Sequence, residues 1–263
     1  MSGESFGSHI TDNYFVRAAK GEIDGAEMIY KFGRNSDIDT GTDPEDIWDG
    51  GGIYTFSSTA VPYYISSSNN ADTQDILVYV LTEDSDGNWN EEAVAVTLAG
   101  NTKTQILPAS GDNPIRAYRM INAGSTDLAG SVYLYEDDTT TTPGIPDTVS
   151  KIRAQIINGN NQTLMAIYTV PSGKKAMFCQ GYVAMGKAGS NAQASFTWRA
   201  RGFGGVFAVK GAIEGSSQGA PWMYRYVGGP VLPAKTDILI RCDFVSANDT
   251  EVVGGMDIML FDD

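Results

Sequence analysis

With 263 residues, 42% of them hydrophobic, the chain is long enough to bury one large core or two smaller ones, and its composition is not that of a disordered protein. A formal charge of -14 argues against a nucleic-acid-binding face, which needs Lys and Arg clustered against phosphate. One histidine (His9) and two cysteines (Cys179, Cys242) leave little from which to build a metal centre or a nucleophile–base pair. No apolar run of about 18 residues predicts a membrane span, and residues 1–8 lack the charged and apolar blocks of a secretory leader, so assembly in a cytoplasm is expected.

Residues 1–32 mix small, apolar and charged side chains. Gly21 and Gly25 interrupt any helical period, so this stretch is expected as an extended arm with one short helix. An arm so rich in apolar residues should pack on something. Phe6, Ile10, Tyr14, Phe15, Ile29 and Tyr30 are its candidate docking residues, with Trp48 just beyond it. Between residues 37 and 49 stand six carboxylates: Asp37, Asp39, Asp43, Glu45, Asp46 and Asp49. Carboxylates at this density can hold Ca²⁺, but the EF-hand register fails, because counting from Asn35 puts Thr40 and Asp46 where Gly and Glu belong. The bland alternative is a solvated loop in which Asp43 caps a short helix opened by Pro44. No metal or other cofactor is expected.

After the glycines at 50–52, residues 53–56 read as a strand. Residues 76–82 and 89–98 read as a hairpin closed by Asp86-Gly87, and 115–121 and 131–135 as two further strands. The segment 76–81 is apolar on both faces. Ile76, Val78 and Val80 face one way and Leu77, Tyr79 and Leu81 the other, so its second face needs cover from the arm or another subunit. A polar stretch with two prolines, 137–147, is the expected domain boundary. Beyond it, strands are expected at 151–157, 164–170, 176–185, 193–201, 205–210, 222–226, 237–244 and 256–261, with turns between them. Both cysteines fall in strand-like runs and are expected as buried thiols.

The order of motifs resembles a family of tailed-bacteriophage virion structural proteins of the marine-phage type. The matching stretches are Gly33-Arg-Asn-Ser-Asp-Ile-Asp-Thr through Ile47-Trp48, Asp86-Gly-Asn-Trp-Asn-Glu-Glu-Ala-Val-Ala-Val-Thr-Leu and Ile115-Arg-Ala-Tyr-Arg-Met. Further along come Tyr168-Thr-Val-Pro-Ser-Gly-Lys-Lys, Arg201-Gly-Phe-Gly-Gly-Val-Phe, Lys235-Thr-Asp-Ile-Leu-Ile-Arg, Asn248-Asp-Thr-Glu and Asp257-Ile-Met-Leu. Together they span most of residues 33–263. None is a catalytic signature, so the resemblance implies a lineage and a place on a particle, assembled in the host bacterial cytoplasm. It assigns no site residue.

The expected fold is all-β: two β-sandwich or jelly-roll-like domains behind an extended N-terminal arm. The expected boundaries are 1–50 for the arm and acidic loop, 51–140 for the first domain and 150–263 for the second. The expected role is non-enzymatic, a head-associated decoration, cement or fibre protein that docks through its arm. The partners would be copies of itself, with a trimer favoured, and other virion proteins such as major capsid or neck and tail proteins. No nucleic acid and no membrane is expected. A collar- or tail-associated, glycan-binding role in host recognition is the alternative. Its candidate surface is Trp222, Tyr224 and Arg225, where a cation stands beside two aromatics.

Overall fold

The computed structural model of the chain describes residues 14–186, 191–219, 221–225 and 229–263. Among these residues the fold is nearly all β, with four antiparallel sheets arranged as two sandwiches. In the first sandwich a three-stranded sheet faces a four-stranded one. The three-stranded sheet runs β5 (Trp89–Thr97), β4 (Asp75–Glu83), β7 (Asn113–Asn122). The facing sheet runs β6 (Thr104–Gln105), β3 (Tyr63–Ser67), β8 (Val132–Glu136), β9 (Ile152–Ile156). Alternation decides what lies between them: Ile76, Val78 and Val80 from β4 meet Ile65, Leu134 and Ala154 in one buried cluster.

The second sandwich pairs two larger sheets. One runs β1 (Ala26–Ile38), β17 (Thr250–Asp262), β11 (Lys174–Gly186), β14 (Trp222–Arg225), with β15 (Val231–Leu232) also on β11. The other runs β10 (Ile167–Thr169), β16 (Thr236–Val245), β12 (Gln193–Gly202), β13 (Ala208–Ser216), with β2 (Glu45–Asp46) also on β16. Phe178, Val183, Ile258 and Leu260 from the first sheet bury against Phe196, Trp198, Ile238 and Ile240 from the second. Cys242 lies in this core and Cys179 is half-buried; both are free, and burial pushes their thiols up to about 12 and about 11.

Three expectations need correction. The arm does not extend to residue 50, because Ala26–Ile38 forms a thirteen-residue strand antiparallel to the last strand of the chain and Ala18, ahead of it, is buried against the same sheet. Its inner face comes so close to the neighbouring backbone that a Cβ on Gly33 would lie 2.3 Å from the Ile47 carbonyl oxygen. The boundary at 137–147 falls too early, since β9 pairs with β8 and completes the first sandwich, so the chain crosses over between Ile156 and Ile167. Residues 53–56 are not a strand. They run as extended chain that turns Tyr54 into the first core.

A buried electrostatic clamp joins the sandwiches. Arg116 of β7 donates two hydrogen bonds to Asp237 of β16, at 2.8 and 3.1 Å, and a third to the Ser57 carbonyl at 2.6 Å. Arg201 and Thr169 also donate to Asp237, at 3.2 and 2.7 Å. The Arg116 guanidinium lies over the rings of Trp89 (4.8 Å) and Phe56 (5.1 Å), so the clamp is walled by apolar surface.

Candidate functional site

Strand β1 is an edge strand, and a concavity lies along each side of it. The first is on the outer face of its sheet. Register across the four strands sets side chains in rows: Met28, Met259, Met177 and Val231 form one, Tyr30, Asp257, Gln180 and Arg225 the next, and Phe32, Gly255, Tyr182 and Met223 the third. A bulge at Cys179 keeps Gln180 in step with Asp257. The short helix α1 (Tyr14–Ala19) covers only the methionine end, with Ala18 set against Met259 and its neighbours. Between helix and sheet runs a groove of about 550 Å³ that holds Phe15, Met28, Tyr30 and Arg225. Beyond the helix the face is mixed: Tyr30, Met223 and Val231 each leave more than half of their surface exposed, at 55, 54 and 54%, around a polar row of Asp257, Gln180 and Arg225. Asp257 accepts a hydrogen bond from Gln180, and burial raises its carboxyl above the usual range.

This face brings together residues that are nearly two hundred positions apart in sequence. Tyr14, Phe15 and Tyr30 are exposed, as docking residues must be. Phe6 and Ile10 lie outside the described residues. Two docking candidates are corrected: Trp48 is 2% exposed in the first core, and Ile29 turns inward against the second. The set Trp222, Tyr224 and Arg225 is also corrected, because it does not form one surface. Successive strand residues point to opposite faces. Trp222 packs on the second core and Tyr224 tilts towards Trp198 at 6.2 Å, whereas Arg225 lines the outer groove.

The second concavity lies between the sandwiches and was not legible in the sequence. It is a cleft of about 450 Å³ whose walls include Glu27 and Lys31 from β1, Tyr79 from β4, Glu91 from β5, and Tyr118 and Arg119 from β7. Opposite β4, Tyr79 pairs with Arg119 and Val80 with Ala117, so Tyr118 is the extra residue of a bulge. That bulge lets two consecutive side chains line one cleft. The phenols of Tyr118 and Tyr168 both donate to Glu91 Oε1, at 3.1 and 3.3 Å. Desolvation raises the Glu91 carboxyl. Lys31 is buried, its ammonium donates to the Tyr118 carbonyl, and desolvation with repulsion from Arg119 pulls its pKa down to about 7. On the second apolar face of β4, Tyr79 stands in the cleft beside β1, while Leu81 is buried with Trp89 and Ile115.

The acidic segment divides by burial. Asp46 is fully buried, receives Arg241 Nε at 2.6 Å and the Tyr54 amide at 2.9 Å, and sits in β2 where a helix start was expected. Glu45 accepts from Asn35, Thr42 and the Gly52 amide. These two are structural anchors rather than solvated loop residues. Asp49 is partly desolvated, which raises its carboxyl to about 6, against Arg34 at 3.5 Å. Asp37, Asp39 and Asp249 bring carboxylate oxygens within 4.8 Å of one another, and Asp39 also accepts the Asp249 amide at 2.8 Å, which staples the loop at 39–42 to the β16–β17 turn.

No protein-family model matches the sequence, and no curated protein matches it. Among solved structures, the chain is similar to the N-terminal CBM22-1-CBM22-2 tandem domain of Paenibacillus barcinonensis Xyn10C (12% identity, 90% of this chain and 93% of that one, TM-score 0.26). It is similar to infectious bursal disease virus, Gt strain (12% identity, 95% and 78%, TM-score 0.23). It is also similar to the PBSX exported protein XepA (11% identity, 88% and 86%, TM-score 0.19). At these scores none of the three indicates a shared fold or role. Among the described residues no helix is long and apolar enough to cross a membrane.

Proposed function

We propose that the chain is a non-enzymatic structural component of a phage particle, a head-associated decoration or fibre protein. In this reading it docks through the outer face of the β1–β17–β11–β14 sheet together with the segment that leads into α1. The observation that supports the reading is the set of exposed apolar side chains that frame a polar row, Asp257, Gln180 and Arg225, on that face. Tyr30, Met223 and Val231 stand on three different strands of one sheet, and exposed patches of this kind mark surfaces that meet another protein. The sequence resemblance over residues 33–263 supplies the particle. Self-association into a trimer, or seating on a capsid protein, would use the same face.

The test is a double substitution, Met223→Asp with Val231→Asp, which puts charge on the exposed ends of two rows without entering either core. The variant should fold, lose its self-association in light scattering, and fail to join particles in an assembly assay. A variant that assembles like the parent overturns the proposal. Removal of residues 1–13 tests the leading segment separately. A longer cut to residue 32 would delete half of β1 and report on folding instead.

A further inference from the structure

We infer that the cleft between the two sandwiches is a binding site for a neutral saccharide, with Tyr79 and Tyr118 as its aromatic wall and Glu91 and Arg119 as its polar partners. This goes beyond docking and does not depend on it: the cleft shares Met28 and Tyr30 of β1 with the docking groove, but its proposed ligand contacts come from β4, β5 and β7.

The argument begins with the shape and charge of the cleft. At about 450 Å³ it falls in the range of small-molecule sites, and it is assembled from both sandwiches. The two rings lie 6.1 Å apart, tilted by 46°, and offer apolar surface to the C–H face of a sugar ring. Around them stand charges of both signs: Glu27, Glu91 and Glu92, the last held by Thr82 and Ser110, with Lys31 and Arg119. Glu27 and Glu91 accept hydrogen bonds; Lys31 and Arg119 donate them. A cationic ligand would meet Lys31 and Arg119, and an anionic one would meet Glu27 and Glu91, so neither finds a field of one sign. A polyhydroxylated neutral ring, whose hydroxyls both donate and accept, can use an acceptor such as Glu91 and a donor such as Arg119 together.

The polar groups are also held in place before any ligand arrives. Two phenols fix Glu91 Oε1, and no donor reaches Oε2 among the described residues. Gln162 holds Arg119, whose NH2 donates to its side-chain oxygen at 3.2 Å. The bulge at Tyr118 turns its ring and the Arg119 side chain into the same space, an arrangement that regular pairing would break. Preorganisation of this kind lowers the ordering cost of binding.

The experiment uses the full chain and a panel of immobilised oligosaccharides of two to four units, built from glucose, galactose or N-acetylglucosamine, with sialylated members and free amino acids as charged comparators. Any neutral member retained is then titrated calorimetrically. The expected result is binding that Tyr79→Ala weakens roughly tenfold, in line with the loss of one aromatic contact. Glu91→Gln should weaken it as well, while Phe244→Ala, exposed on the second sandwich away from the cleft, leaves it unchanged. Circular dichroism of each variant reports folding. The inference is overturned if no neutral member binds at millimolar concentration, if binding survives both cleft substitutions, or if only charged comparators bind.

Discussion

Lys31 gives the sharpest quantitative consequence of this fold. In the unfolded chain its amine titrates at the ordinary lysine value of 10.5, whereas in the fold it titrates at about 7. Between those values the unfolded state binds more protons than the folded one, so stability rises as pH rises through the window. Below about pH 7 both states are protonated and the full cost of burying the charge is present. From pH 7 to pH 9 the two titrations imply a gain of about 2 kcal/mol, at 1.36 kcal/mol for each unit of proton linkage. Lys31→Met keeps the length of the side chain and removes the titration. Arg119, Tyr118, Glu91 and Glu27, the other ionisable groups around it, remain, so the difference between the two stability curves isolates Lys31. The assay is urea unfolding of both proteins at half-unit steps between pH 6 and 9. The variant's advantage should be largest at pH 6 and shrink by about 3 kcal/mol at pH 9; the Tyr118 carbonyl left without its donor lowers that advantage by roughly 1–3 kcal/mol at every pH and leaves the change with pH untouched. Parallel curves would refute the argument, because they would mean that Lys31 keeps an ordinary pKa and is hydrated.

Other substitutions probe the frame that holds the two concavities. Asp237→Asn should cost about 3–5 kcal/mol, because Arg116 stays buried between aromatic rings and loses its counter-charge; a loss below 1 kcal/mol in the same urea assay would mean that the clamp is hydrated. Gly33→Ala should cost at or above the upper end of roughly 1–3 kcal/mol, since the new methyl meets backbone on two sides and neither atom can swing away. Its signature is a fall in the denaturation midpoint, and an unchanged midpoint would show that β1 is free to lift. Arg241→Met should destabilise most at neutral pH and less in acid. It strands the buried Asp46 carboxylate, whose pKa desolvation already raises, and protonation then relieves the uncompensated charge. A penalty that does not change with pH would refute that assignment.

Much of the strand order was readable because alternation is a local signal. The hairpin of β4 and β5 follows from apolar residues at every second position around a turn, and there Gly87 adopts the positive φ of 79° that the Asp-Gly pair supplies. β1 was not readable in that way. Its sequence reads Ala-Glu-Met-Ile-Tyr-Lys-Phe-Gly, in which charge and apolar bulk fall on both faces, because each face meets a different partner along part of its length: Met28 under α1, and Ile29 and Lys31 against the tyrosines between the sandwiches. A strand built this way lacks the polar face that marks an ordinary edge, so it resembles an irregular arm. The same cause hid the cleft. Its members come from positions 27 to 119, and the residue that completes it, Tyr118, reaches it only through a bulge that shifts register by one. No periodicity in the chain encodes that bulge, since it is fixed by pairing with β4 rather than by the local run of residues. The Trp222–Arg225 segment shows the opposite error. Adjacency in sequence suggested one surface, yet strand geometry guarantees that neighbours part company. Arg225 instead joins Tyr30, nearly two hundred positions away, through two intervening strands in strict register. The sheet residues of the docking face are therefore united by their rows and the cleft residues by the meeting of two sheets, and β1 is the strand on which both concavities depend.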